Sequence, residues 1–349
     1  MINVGIVGLG FMGMIHYLSY RKLPGVRVAA ICEVNQKRLT GDWTDIKGNF
    51  GPAGEQMDLT GVATFTSLDE MLASAELDMI DVTLPPSLHA EATIKGLQAG
   101  KHVFCEKPMS LRLDECERMS AAARDADRQL YVGHVLPFFP EYAWAYDVVK
   151  SGRYGALRGG AFRRVIADPA WLTNYWNADL VGGPLFDLHV HDAHFIRLLF
   201  GMPDDVVTRG RTKNGLPEFW HTFFTYRDND YLVEATSGVT SQQGRAFNHG
   251  FEIHLERATL MFEFAVLGGE GQYLCPPMLL DESGNAERAS LGAGDPMDAF
   301  EAELRSVTDS VRKNQESEVL SGRLAQDAVR LCQMQIDSLA ASRKNAVRG

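Results

Sequence analysis

Two rhythms of apolar and polar positions run along this chain, and the second replaces the first near residue 125. In the first part apolar residues come as short, mostly continuous runs at 4–7, 26–32, 79–84 and 102–105, with one more at 130–133. Such runs are the mark of strands buried on both faces. Between them the spacing turns helical. Ile15 and Leu18 follow Gly13, and residues 86–99 open on Pro86-Ser87 and close at Gly100, the Pro-in, Gly-out pattern of helix ends. Alternation of this kind predicts a parallel sheet with helices on both faces. Residues 40–61, rich in Gly and Asp, read as an irregular excursion before a strand at 62–65.

The later part reads differently. Residues 219–226 and 231–237 are aromatic and β-branched runs joined by Arg227-Asp228-Asn229-Asp230, and 251–255 with 259–264 flank Arg257-Ala258. Both pairs predict hairpins, hence a largely antiparallel sheet with one face covered by helices or a second subunit. Asp295-Pro296 predicts a capped helix start. Phe300, Leu304, Val307 and Val311 then keep helical spacing, as do Ala325, Val329, Cys332, Ile336 and Leu339. Two domains are expected, 1–124 and 125–349, because 349 residues exceed one ordinary core. The C-terminal helices are free to return to the first domain.

Composition narrows the function. The 45% hydrophobic and 23% charged content fits a globular protein. A net charge of −11 argues against nucleic acid or an anionic membrane as the main partner. No apolar run reaches the ~18 residues of a membrane span, and the N-terminus reads as a strand, not a signal peptide. Five dispersed cysteines predict reduced thiols and a cytoplasmic location.

Gly8-Leu9-Gly10-Phe11-Met12-Gly13 follows the first strand and opens a helix. The first glycine allows the tight turn, the second lets a pyrophosphate approach the backbone, and the third lets helix and strand pack closely. Glu33 ends the second strand twenty residues after Gly13 (33 − 13 = 20). A carboxylate there accepts from an adenosine ribose and repels a 2′-phosphate, so NAD is expected before NADP. Lys37 and Arg38 beside it temper that preference.

Thr83-Leu84-Pro85-Pro86-Ser87-Leu88-His89-Ala90-Glu91, the segment from Ala99-Gly100-Lys101-His102 to Cys105-Glu106-Lys107-Pro108, and Gly182-Gly183-Pro184-Leu185-Phe186-Asp187-Leu188-His189-Val190-His191-Asp192 together carry a likeness. The chain resembles the glucose–fructose oxidoreductase/inositol dehydrogenase/MocA family from Met1 to about Ser342. The resemblance implies an α/β protein, a Rossmann domain followed by an α/β domain with a large open sheet. It implies a nicotinamide cofactor, sugar-, cyclitol- or polyol-like substrates, and homodimers or homotetramers built through that sheet. It places Lys107 beside the nicotinamide and the reacting hydroxyl, with Thr83, Pro85, His89 and Glu106 around the cofactor. It makes His191 the general base, with Asp187 one helical turn earlier orienting the imidazole or holding a substrate hydroxyl.

Other residues are more open. His134 stands near positions where the family commonly has an arginine, and either contacts substrate or packs. Trp171, Tyr175 and Trp176 either line a sugar pocket or fill a core, and His189 is a candidate substrate contact. Asp187, His191 and His194 share a helical face at i, i+4 and i+7. No ligand from elsewhere joins them, and no metal is assigned. The leading expectation is an NAD(P)-dependent dehydrogenase acting on a CH–OH group. The alternatives are a lyase, epimerase or glycoside-cleaving enzyme with transient redox, and a catalytically silent NAD-sensing regulator.

Overall fold

A computed structural model describes residues 1–48, 50–170, 172, 174–291 and 295–346. The chain divides into two compact units, Met1–Phe139 with Ala293–Gln326, and Pro140–Gly292 with Asp327–Gly349. The first therefore runs past residue 124. Its strands are β1 (Ile2–Val7), β2 (Val26–Cys32), β3 (Ala63–Phe65), β4 (Met79–Val82), β5 (His102–Glu106) and β6 (Leu130–Gly133), ordered β3-β2-β1-β4-β5-β6. Every pairing is parallel. The order reverses between β1 and β4, and open α/β sheets bind ligands at the carboxyl ends of strands at such a reversal.

The excursion at 40–61 is irregular, as its composition suggests, but it is packed. Trp43 is fully buried and donates its indole N–H to the Arg38 carbonyl at 2.9 Å. Phe50 stacks on Phe300 with ring centroids 5.2 Å apart and meets Phe11 edge-on at 4.8 Å. The helix Pro296–Lys313 starts where expected, with Asp295 accepting from the Met297 amide at 2.9 Å. It buries Phe300, Leu304, Val307 and Val311.

The second unit holds β7 (Leu157–Ala167), β8 (Asp205–Lys213), β9 (Leu216–Thr225), β10 (Leu232–Thr240), β11 (Arg245–Leu255), β12 (Ala258–Leu267), β13 (Glu270–Asp281) and β14 (Ala286–Arg288). They form one sheet in the order β14-β13-β12-β11-β7-β10-β9-β8. Both expected hairpins are there, β9/β10 and β11/β12. Only β7 and β10 pair in parallel. The last helix, Gly322–Ala346, buries Ala325, Val329, Cys332 and Leu339, but Gln335 takes the core position expected of Ile336. Polar partners explain that: Gln335 reaches Thr222 on β9 at 2.9 Å and His189 at 3.0 Å. Among the described residues no helix is long and apolar enough to cross a membrane.

Candidate active site

The nucleotide end lies on the carboxyl edge of the parallel sheet. Gly8 turns the chain out of β1 with φ +92°, a conformation that glycine adopts freely. A Cβ on Gly13 would stand 2.3 Å from the Gly8 carbonyl oxygen, so only glycine lets the helix Phe11–Tyr20 start that close to the strand. A Cβ on Gly10 would meet nothing within 4 Å. The helix opens at Gly10 with no side-chain cap and no acid in its first turn. No side-chain cap or first-turn acid therefore competes with a pyrophosphate for the helix dipole. Gly13→Ala is expected to cost about 1–3 kcal/mol of stability through overpacking. An unchanged denaturation midpoint would refute that close approach.

Glu33, the expected ribose contact, directly follows β2. Its Oε2 accepts the Leu9 amide at 2.7 Å and its Oε1 the Asn35 amide at 2.8 Å, so the carboxylate is locked in one orientation. Arg38 donates to the Leu9 carbonyl at 2.9 Å and to Asp45 at 2.9 Å. Lys37 lies 3.4 Å from Asp42. Both cations beside Glu33 are therefore matched by acids from the excursion. Phe11 and Met12 are half-buried in the first turn of the helix.

Thr83 bridges the sheet's switch point, its amide donating to the Val7 carbonyl at 2.9 Å and its hydroxyl to the Gly8 carbonyl at 2.6 Å. Pro85 is exposed just beyond it. His89 is fully buried, with Nδ1 2.8 Å from the Pro108 carbonyl and Nε2 2.7 Å from the Leu84 carbonyl. Burial lowers its pKa. It braces the chain leaving β4 against the chain leaving β5. Glu106 ends β5 and accepts the Lys107 amide at 3.1 Å. Lys107 is half-buried, and the Lys107–Pro108 peptide bond is cis. His134, just after β6, is fully buried.

In the second unit, Asp187 belongs to a π-helical turn, Leu185–His189, that leads into the helix Val190–Phe200. The sequence predicts plain helix there; π turns concentrate at functional sites. From 182 to 196, Asp187 and His191 are the only residues that are not buried. Their i, i+4 spacing keeps both on the one face that reaches solvent.

The other histidines turn inward. His189 is fully buried, with Nδ1 2.8 Å from the Ser237 hydroxyl and Nε2 3.0 Å from Gln335. Burial and then the Arg164 charge bring its pKa down to about 3. It is a neutral core histidine with both nitrogens engaged. His194 is fully buried as well, which removes it from the face it was expected to share with Asp187 and His191. Among the described residues no three His, Cys, Asp or Glu side chains gather to hold a metal ion.

Tyr175 is buried, and Trp176 donates its N–H to Asp168 at 3.1 Å while Lys213 sits 4.4 Å over its ring. Trp171 lies outside the described residues. Sequence reasoning missed a second layer: His16, Asp81 and Glu303 in the first unit, Arg164 and Asp192 in the second, all buried. The available signal was an ionisable residue inside an apolar run, such as Asp81 between Ile80 and Val82.

The parallel sheet with its glycine turn defines a dinucleotide-binding fold, joined here to a large, mostly antiparallel sheet. The chain belongs to the Gfo/Idh/MocA oxidoreductase family. Residues 2–134 match the profile described as oxidoreductase family, NAD-binding Rossmann fold, and residues 142–261 match the GFO/IDH/MocA C-terminal domain. An uncharacterised oxidoreductase of Rhizobium meliloti is 33% identical over 39% of this chain and 41% of its own length. The myo-inositol 2-dehydrogenase of Thermotoga maritima is 27% identical over 57% of this chain and 55% of its own. The chain thus spans about half the length of such curated relatives. A levoglucosan dehydrogenase solved with NADH and levoglucosan superposes with a TM-score of 0.78, covering 97% of each chain at 18% identity. At that identity the likeness concerns the fold.

Proposed function

We propose that this protein is an NAD-dependent dehydrogenase that moves a hydride between the nicotinamide and a secondary hydroxyl of a sugar, cyclitol or polyol-like substrate. The observation that carries the reading is Glu106-Lys107 on the same carboxyl edge of the parallel sheet as the glycine cradle and Glu33. The substrate class follows the myo-inositol and levoglucosan enzymes among the similar proteins. When bound, the nicotinamide supplies the hydride acceptor.

The chain's own residues do the rest. The Lys107 ammonium polarises the carbonyl or stabilises the developing alkoxide. His191 takes the hydroxyl proton, and Asp187 orients its imidazole. NAD is favoured over NADP because Glu33 faces the ribose side while Lys37 and Arg38 are already neutralised by Asp42 and Asp45. The outer face of the second sheet carries Val207, Phe223 and Leu232, the last 70% exposed, which supports a homodimer or homotetramer through that face. Light scattering on the purified protein measures it.

The test is a panel of sugars, inositols and polyols with NAD and with NADP, following reduced nicotinamide by absorbance. Turnover with NAD ahead of NADP is expected. Product formation with no net reduced nucleotide would instead mark transient redox. A protein that binds neither dinucleotide would end the proposal.

A further inference from the structure

Behind Glu106 lies a cluster of buried ionisable groups drawn from four elements of the first unit. His16, on the inner face of the helix Phe11–Tyr20, is fully buried, with Nδ1 2.8 Å from Asp81 Oδ2 on β4 and Nε2 3.2 Å from Glu106 Oε1 on β5. Phe104 and Phe300 flank the imidazole at centroid distances of 5.6 and 6.3 Å. Glu303, from the helix Pro296–Lys313, brings a third carboxyl that is 0% exposed, and Tyr20 a buried phenol.

A neutral imidazole has one N–H to give. Here Nδ1 is hydrogen-bonded to Asp81, and Nε2 lies at ion-pair distance from Glu106 without hydrogen-bond geometry, so a protonated ring would face a carboxylate on each side. Burial opposes that charge, but Asp81 and then Glu106 outweigh it and hold the His16 pKa up at about 10. Burial and then the Glu106 charge push the Glu303 carboxyl well above the usual carboxylate range, so it stays protonated.

Glu106 is constrained on every side that matters. Its Oε2 accepts the Lys107 amide, and its Oε1 faces His16. The space beside Oε1 exists because residue 133 is glycine, since a Cβ there would come within 2.8 Å of that oxygen. A buried, paired charge network of this kind is costly to assemble. It includes the carboxylate that accepts the Lys107 amide.

We propose that His16 is a positioning residue for the Glu106-Lys107 pair: anchored at Asp81, it fixes the Glu106 carboxylate and thereby the backbone from which the Lys107 side chain departs. This rests on the reading of Lys107 as catalytic.

Two isosteric variants separate the two arms. The amide nitrogen of asparagine stands where Nδ1 does, and that of glutamine reaches toward Nε2. His16→Asn keeps the Asp81 contact and loses Glu106, so kcat is expected to fall roughly 10²-fold, as for a small misplacement of a catalytic group. Substrate KM should move little. His16→Gln keeps the Glu106 contact and is expected to recover most of kcat. A purely structural role would lower the melting temperature of both without that split in kcat.

The second readout needs neither turnover nor a ligand. By NMR, the wild-type His16 ring stays protonated at pH 9, and in Asp81→Asn it titrates at lower pH. Equal kcat in His16→Asn and His16→Gln, or a wild-type His16 that titrates near 6.5, overturns the proposal. Full activity in Lys107→Met removes the reading beneath it. An inactive Lys107→Met beside a fully active His16→Asn removes the positioning role alone.

Discussion

Lys107→Met is expected to lower kcat by about 10²–10⁴-fold, the range for a well-placed proton-transfer group, while dinucleotide affinity stays within a few-fold. Methionine keeps an unbranched stem of similar reach but carries neither charge nor transferable proton. The backbone contact that Lys107 contributes, its amide to Glu106 at 3.1 Å, is untouched by the change. The loss should therefore appear in kcat rather than in the cofactor dissociation constant, and steady-state kinetics with calorimetric titration of NAD separates the two. If kcat holds and only the affinity falls, Lys107 is a binding lysine and the proposed chemistry fails.

The second large effect is on stability. Arg164 on β7 holds Asp192 through two bonds, Nε to Oδ2 at 2.7 Å and Nη2 to Oδ1 at 3.0 Å, with the residues 5% and 1% exposed. Tyr142, 3.4 Å from the guanidinium, completes the shell. Burial works against both charges and raises the Asp192 pKa, while the Arg164 charge and the bidentate hydrogen bonds oppose that rise. Arg164→Met leaves a buried carboxylate with no counter-charge, which costs about 3–5 kcal/mol.

The sign with pH follows. Burial sets the folded-state pKa of Asp192 above its unfolded value even beside Arg164, and without Arg164 it rises further, so the added penalty is absent below the ordinary aspartate range and grows as pH rises through it. Denaturation of Arg164→Met should show a smaller deficit at pH 5 than at pH 8, with Asp192→Asn in the same chain recovering part of it. A deficit independent of pH would mean that packing alone is lost. Because Asp192 follows His191 directly, the folded fraction of this variant should also show reduced turnover.

Much of the fold was legible because it is written in local periodicity. Largely apolar runs announced β1, β2, β4 and β5, and the aromatic runs around 227–230 and 257–258 announced two hairpins. Four strands were not legible: β14 is only three exposed residues long, and the other three fail for separate reasons. In β7, Gly159-Gly160 and Arg163-Arg164 interrupt the pattern, and Arg164 belongs there only because Asp192 arrives to pair with it. β13 contains Pro276-Pro277, which ordinarily demotes a strand. β8 is charged along much of its length.

At the site, the glycine turn, Glu33, Lys107 and the Asp187/His191 spacing could be named in advance, since each lies within a short motif whose chemistry is local. Local sequence also determined the two kinds of sheet and the helix start at Asp295, because backbone geometry and the alternation of faces depend on neighbours a few residues away. Which ionisable groups are buried, and against what, was decided only by the tertiary structure. His189 and His191 look alike in the sequence, yet one is a core residue and the other reaches the surface. His16, Asp81, Glu106 and Glu303 are strangers along the chain, and only the crossover topology of the sheet brings them within reach of one another. Their charge states follow from burial and mutual Coulomb energy, which depend on distance in space and not on separation in sequence.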